Sequence, residues 1–271
     1  MKLITANISF HQKDIVTHLI AFLLVILIFS LPLFGESRSA LILLSATLIL
    51  CVPAYRNDLK QILYQPWVLS SWSLFFIAFI ACFWGPSSLE EKIFALEKYN
   101  TLLLLPILTV GFRSPGVRRT GLYAFLFAMI ITCIASILQK YGLFPVYTDN
   151  SGRIFHDHIV TSYMMAFAAY LAATLGIDAS RGWLWKASHF GLMMIYSTYI
   201  LFVNDGRIGD VLYLFLAIIF FLQHFSRRQL IIFFPLFVFM FGLAYLYSPI
   251  MQQRSKEVIS EIQTDQVLKL L

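Results

Sequence analysis

Apolar residues in this chain come in nine blocks of near membrane-spanning length, and no other feature constrains the fold as much. The blocks cover residues 15–34, 39–54, 67–84, 100–112, 120–138, 159–177, 188–203, 208–225 and 230–247. In hydrocarbon every backbone N–H and C=O must find its partner inside the protein, so such blocks read as helices. Over 271 residues, 59% are hydrophobic and 13% charged, with a mean hydropathy of +0.79, more apolar surface than a soluble domain of this size uses. The expected fold is an all-α integral membrane protein of about nine transmembrane helices. Residues 1–247 form one polytopic domain, and 248–271 begin an outer amphipathic segment at Ser248-Pro249. The fourth block is the shortest, with a thirteen-residue apolar core. Ser87 with Glu90, or Ser88 with Glu91, has capping-box spacing, and Leu89, Ile93 and Leu96 recur at helical spacing, so an outer helix is expected to run into that block.

Lysine and arginine set the orientation. With the N-terminus in the cytoplasm and residues after Ser248 in the periplasm, the inner segments carry Lys2, Lys13, Arg56, Lys60, Arg113, Arg118, Arg119, Arg181, Lys186, Arg227 and Arg228 against Asp14, Asp58 and Asp178. Inside is then +8 and outside −2, which accounts for the net +6. If the fourth block did not cross, the basic residues would divide ten and ten. The pI near 9.2 follows from this retention of positive charge and not from nucleic-acid binding, because no basic run exceeds two residues. Cys51, Cys82 and Cys133 are well separated within apolar blocks and suggest neither a disulfide framework nor a metal cluster. The first block is too long for a signal peptide, contains Pro32 and lacks a small-residue cleavage site, so it is read as an anchor.

No charged residue falls near the centre of a block, which argues against ion-coupled transport. The polar chemistry is expected at the membrane faces, and the outer face holds three arginines, Arg38, Arg153 and Arg207. The last two each precede a block running inward. A helix N-terminus is already partly positive, so arginine is disfavoured there unless an anion binds. Free N–H groups together with a guanidinium make a phosphate site. In Gly152-Arg153-Ile154-Phe155-His156-Asp157-His158, Arg153 would fork onto a diphosphate, and a histidine would donate to phosphate or sugar oxygens. The plainer reading is an interfacial belt with Arg153 snorkelling. A metal site is disfavoured, because His156 and His158 share a face only in extended chain and no cysteine or further histidine clusters with them. In Asn204-Asp205-Gly206-Arg207, the first three residues are turn chemistry. Arg207 either pairs with Asp205 or Asp210 or holds an anion. Glu90, Glu91 and Glu97 read as a solvated helix face, and no phosphate-binding loop, dinucleotide glycine pattern, Gly-x-Ser-x-Gly or His-Glu-x-x-His occurs. No cofactor is expected.

Three features together resemble the O-antigen ligase family and its relatives, the O-antigen polymerases. They are the Arg153–His158 run before an inward helix, the Asn204-x-x-Arg207 turn opening the next inward helix, and many spans followed by the outer segment Ser248–Arg254. The resemblance implies transfer of a glycan from undecaprenyl diphosphate to lipid A-core at the periplasmic face of the bacterial inner membrane, without nucleotide, metal or cofactor. Arg153 and Arg207 match the family's diphosphate-contacting arginines, with His156, His158 and Asn204 as substrate-binding residues. Beyond the glycan donor and acceptor, the implied partners are membrane lipids, and no nucleic acid. Family members carry a larger periplasmic loop with a histidine base and further spans. Neither occurs among these 271 residues, so a truncated or split product, inactive alone, is expected. The alternatives are an O-antigen polymerase, a non-catalytic binder of lipid diphosphates, or a structural membrane subunit whose outer arginines pair with anionic lipid.

Overall fold

The protein is seen in a computed structural model that describes residues 2–34, 38–85, 88–143, 158–178, 180–204, 207–247 and 252. Among these residues there are ten α-helices and no strand: α1 (Lys2–Ser30), α2 (Arg38–Cys51), α3 (Pro53–Ile62), α4 (Pro66–Ala81), α5 (Leu89–Gly111), α6 (Pro115–Lys140), α7 (His158–Gly176), α8 (Trp183–Phe202), α9 (Arg207–His224) and α10 (Arg227–Tyr247). Each of the nine apolar blocks overlaps one of them. Four helices, α5, α6, α7 and α10, are long and apolar enough to cross a membrane, and the bent pair α2–α3 raises the number to five if it counts as one span. Apolar parts of α1, α4 and α9 are shorter. The all-helical character of a membrane protein is thus present. The chain divides into two compact units, residues 1–124 and 125–271, where the sequence suggests a single domain to residue 247.

In the first unit α1, α2 and α5 enclose a core of Ile20, Leu24, Leu27, Ile49 and Val110. The short fourth block is completed as its N-terminal sequence suggests. The Glu91 backbone N–H donates to Ser88 Oγ at 3.3 Å, the Ser88 N–H donates to Glu91 Oε2 at 3.1 Å, and α5 runs unbroken over 23 residues. Of the two possible boxes, Ser88 with Glu91 is the one formed.

Pro106 lies inside α5 and is buried. Proline has no N–H, so the carbonyl four residues earlier, Leu102 O, loses its helical donor. That carbonyl is met from the neighbouring helix, where Ser71 Oγ of α4 donates to it at 2.8 Å. The adjacent Trp72 Nε1 reaches Leu103 O at 3.4 Å. An unmet carbonyl in hydrocarbon costs several kcal/mol, so α4 and α5 are matched as a pair.

The helix absent from the sequence reading is α3. Pro53 at its first position follows an extended Val52 (φ −92°, ψ 117°), which breaks α2 and turns the chain by 100°. Tyr55, Leu59 and Ile62, spaced i, i+4 and i+7, then pack into the core above.

In the second unit α7 is central. Ala166, Ala168, Ala169, Ala172 and Ala173 are all buried, and small side chains of this kind let helices approach closely in lipid. Hydrogen bonds set the helix directions. Tyr196 Oη of α8 donates to Leu126 O of α6 at 2.7 Å, and Tyr199 Oη donates to Ser136 Oγ at 3.0 Å, so α6 and α8 run the same way. Trp185 Nε1 donates to Leu175 O at 3.1 Å, closing α7 and α8 as an antiparallel pair. Tyr213 Oη of α9 donates to Ser197 Oγ at 2.9 Å, which makes α9 antiparallel to α8 and therefore parallel to α7. At the far end of α10, Gln252 Nε2 donates to Tyr245 O at 3.3 Å and to Leu246 O at 2.7 Å, covering last-turn carbonyls.

Candidate functional site

The parallel course of α7 and α9 brings their N-terminal turns together. The contact is tight because Gly209 has no side chain. A Cβ built there would fall on Ser162 Oγ, 2.6 Å from Ser162 Cβ and 2.9 Å from its backbone carbonyl carbon. Ser162 is fully buried and Thr161 beside it nearly so. Both helices follow the two arginine segments singled out in the sequence, so the heads of those segments' helices share one end of the second unit.

The outgoing helices arrive at the same end. α6 finishes with Gly142 in the left-handed region (φ +71°), where Leu143 N–H bonds Leu138 O and Gly142 N–H bonds Gln139 O, both at 2.9 Å. This pairing stops the helix, and only glycine adopts that conformation without strain. Lys140 Nζ donates to Phe202 O of α8 at 2.8 Å, so this cation serves a helix C-terminus. α8 ends where the N–H groups of Val203 and Asn204 converge on Tyr199 O, at 3.0 and 3.1 Å.

Asn204 is only 1% exposed. Its side chain does not face solvent. Arg207 opens α9 and His158 opens α7, each described by its backbone alone. Arg153 and His156 lie outside the described residues, as do Asp205 and the segment 253–271. The sequence reading did not single out Gln139. It is a buried amide one residue before Lys140, and its Oε1 accepts no hydrogen bond among the described residues. Its signal was a neutral polar residue facing inward at the end of an otherwise apolar helix.

Two features of opposite sign meet at this end, the helix N-termini and the Asp210 carboxylate in the first turn of α9. Helix N-termini carry partial positive charge and free N–H groups, and two of them meet here. Glu90 and Glu97 are exposed and Glu91 is engaged in the capping box, as a solvated face requires. Among the described residues no group of three His, Cys, Asp or Glu side chains is arranged to hold a metal ion, and the three cysteines are free thiols.

Beside this end an apolar trough runs between α8, α9 and α10. Its upper part, about 520 Å³, begins at Phe202 and Tyr247, close to the Asn204 turn. Its lower part, about 230 Å³, extends to Ala173 and Phe225, and the two share Met193, Tyr213, Phe221 and Phe237. The walls are almost wholly apolar, so the trough suits a hydrocarbon chain.

No family model, curated protein or solved structure matches this chain.

Proposed function

We propose that the protein is a membrane glycosyltransferase of the O-antigen ligase type, acting at the periplasmic face of a bacterial inner membrane on an undecaprenyl-diphosphate-linked glycan, with lipid A-core as acceptor. The observation that carries the reading is the meeting of α7 and α9 at Ser162 and Gly209. Arg207 stands two residues before Gly209, and Arg153 precedes His158, the first residue of α7, by five positions in the sequence. A diphosphate held there would lie on two helix N-termini and two guanidinium groups. Arginine suits the leaving diphosphate, because it stays charged and forks onto two oxygens as negative charge develops. His156 and His158 would supply donors to sugar or phosphate, and Asn204 would hold the turn that presents Arg207. The isoprenoid tail would follow the trough beside α9.

A nine-span topology with a cytoplasmic N-terminus fits this reading. Its support within the first unit is the ion pair between Arg113 and Asp58, with the Arg113 guanidinium also 4.7 Å from the Tyr55 ring centroid. These contacts join the turn after α5 to the helix before α4. Such joining supports an antiparallel α4–α5 pair, the course that a crossing fourth block would take.

Binding and transfer are read separately. Purified protein is expected to bind undecaprenyl diphosphate more tightly than undecaprenyl monophosphate or undecaprenol. Arg207→Ala should weaken the diphosphate by roughly tenfold or more, and Arg207→Lys by less, since lysine keeps charge but loses the fork. A mere surface pair would be worth ~0–1 kcal/mol and leave lipid binding unchanged. Undiminished diphosphate binding by the Ala variant, at unchanged helicity, defeats the site. Lipopolysaccharide from a ligase-deficient Gram-negative cell expressing the chain then distinguishes an enzyme from a non-catalytic binder.

A further inference from the structure

The first unit carries a second charged surface, far simpler in composition than the site above and unrelated to glycan transfer. α3 is bent 100° from α2, so if α2 runs into the bilayer, α3 lies along its surface. One face of α3, Tyr55, Leu59 and Ile62, is sunk into the α1–α2–α5 core. Arg56 and Lys60 lie together on one flank away from that face, both exposed. Directly after the helix, Tyr64 is 85% exposed and Trp67 40% exposed. Amphipathic aromatics at this level are characteristic of the headgroup boundary.

The turn between α5 and α6 is fastened to this helix. Arg113 pairs with Asp58 and covers the Tyr55 ring, which commits its charge internally. That fastening carries Arg118 and Arg119, at the start of α6, to the same end of the unit. Arg119 lies over the Tyr123 ring at 5.8 Å. Arg56, Lys60 and Arg118 form no ion pair among the described residues, and all are exposed. Retention of positive charge inside the cell requires basic residues somewhere in these loops. It does not require them on an exposed flank of a surface-lying helix, clamped to a second basic turn and flanked by aromatics.

We propose that α3 and the α5–α6 turn form a docking surface for anionic phospholipid headgroups. Arg56, Lys60 and Arg118 contact the phosphate groups, and Tyr64 and Trp67 sit among the glycerol esters. The charge is complementary to an anionic leaflet, and each basic side chain near such a surface contributes roughly a fivefold increase in affinity at low salt. The surface anchors the first unit against the leaflet, and it does so whether or not the second unit handles a lipid diphosphate.

The test uses the full chain purified in a neutral detergent, where insertion orientation plays no part. Native mass spectrometry after incubation with equimolar phosphatidylglycerol and phosphatidylcholine should show preferential retention of phosphatidylglycerol. Arg56→Gln with Lys60→Gln should weaken that retention about thirtyfold at low salt. Arg56→Lys with Lys60→Arg should preserve it. Equal retention of the two lipids overturns the proposal, as does an unchanged preference in the Gln pair. Displacement of the lipid by millimolar inorganic phosphate at constant ionic strength would make this a free-phosphate site and overturn the lipid assignment. Binding of undecaprenyl diphosphate should be the same in all these variants, so this surface and the α7–α9 site fail or succeed independently.

Discussion

In residues 1–124 the helices meet through branched aliphatic side chains, Leu24 and Ile49 among them, whereas in residues 125–271 they meet through alanine, glycine and hydroxyl groups around α7. In water both would be held by the hydrophobic effect. In lipid that force between helices is nearly absent, and what remains is shape and hydrogen bonding. The first unit therefore has side-chain tips that can yield, with one special bond where Pro106 opens a carbonyl. The second has backbones in near contact and phenol–hydroxyl bonds between helices, with much less room to adjust. Rigidity of this kind is what a site built from two helix N-termini needs, because their N–H groups must stay aimed at one point.

The same substitution made in each unit should break the comparison if it is wrong. Gly209→Ala drives a Cβ onto Ser162 and its backbone, which cannot rotate away, and should cost at least ~3 kcal/mol or prevent accumulation of folded protein. Gly111→Ala brings its Cβ to 2.6 Å from Leu24 Cδ1 and 2.8 Å from Ile49 Cδ1, both flexible tips. Those tips can move, and alanine's better helix propensity offsets part of the cost, leaving about 1 kcal/mol. Gly191→Ala in α8 meets nothing within 4 Å and should be neutral or stabilising. Thermal unfolding in detergent orders the three, and a Gly209→Ala variant as stable as Gly111→Ala would remove the contrast.

A smaller effect sharpens the account of the first unit. Ser71→Ala leaves Leu102 O without its donor and should cost about 1 kcal/mol. In a Pro106→Ala background the helix supplies its own N–H to that carbonyl, so the same Ser71→Ala change should cost clearly less. Additive effects in this double-mutant cycle would show that the serine is not answering the proline.

The smallest effect belongs to the turn between α7 and α8. The Ser180 hydroxyl and N–H bond Asp178 Oδ1 at 2.7 and 3.0 Å, and with nearby Arg181 they hold its carboxyl below the usual value of 3.8. A lowered folded-state value contributes stability above the ordinary carboxylate range, and that contribution is lost as pH falls through the lowered value. Ser180→Ala should move the Asp178 titration, followed by carboxyl carbon NMR, back up toward 3.8, with little change in melting temperature because the group is exposed. An unmoved titration would deny the turn this role.

The apolar blocks were legible because their length and composition leave little choice but helix, and Ser88 and Glu91 announced the start of α5 by spacing alone. α3 escaped because Arg56, Asn57, Asp58 and Lys60 lower its hydropathy. Its signs, Pro53 and the i, i+4, i+7 run of Tyr55, Leu59 and Ile62, read as helix only once an amphipathic segment is sought. The partnership of Ser71 with Pro106 was illegible in principle, because it depends on which helix lies alongside α5. For the candidate site, the sequence could point to Arg153 and Arg207 as unusual helix starts. It made both of their helices run inward, but it could not tell that the heads of α7 and α9 touch, since that rests on Gly209 meeting Ser162 across 47 residues of chain.

Pro106 and Ser71 have a consequence in time as well as space. A ribosome delivers Ser71 before it delivers Leu102 and Pro106, so the donor is already waiting in the membrane when the helix with the open carbonyl emerges. A chain with the order reversed would have to hold an unmet carbonyl in hydrocarbon until its partner was synthesised. The order of synthesis thus puts the donor ahead of the carbonyl it meets in the folded pair.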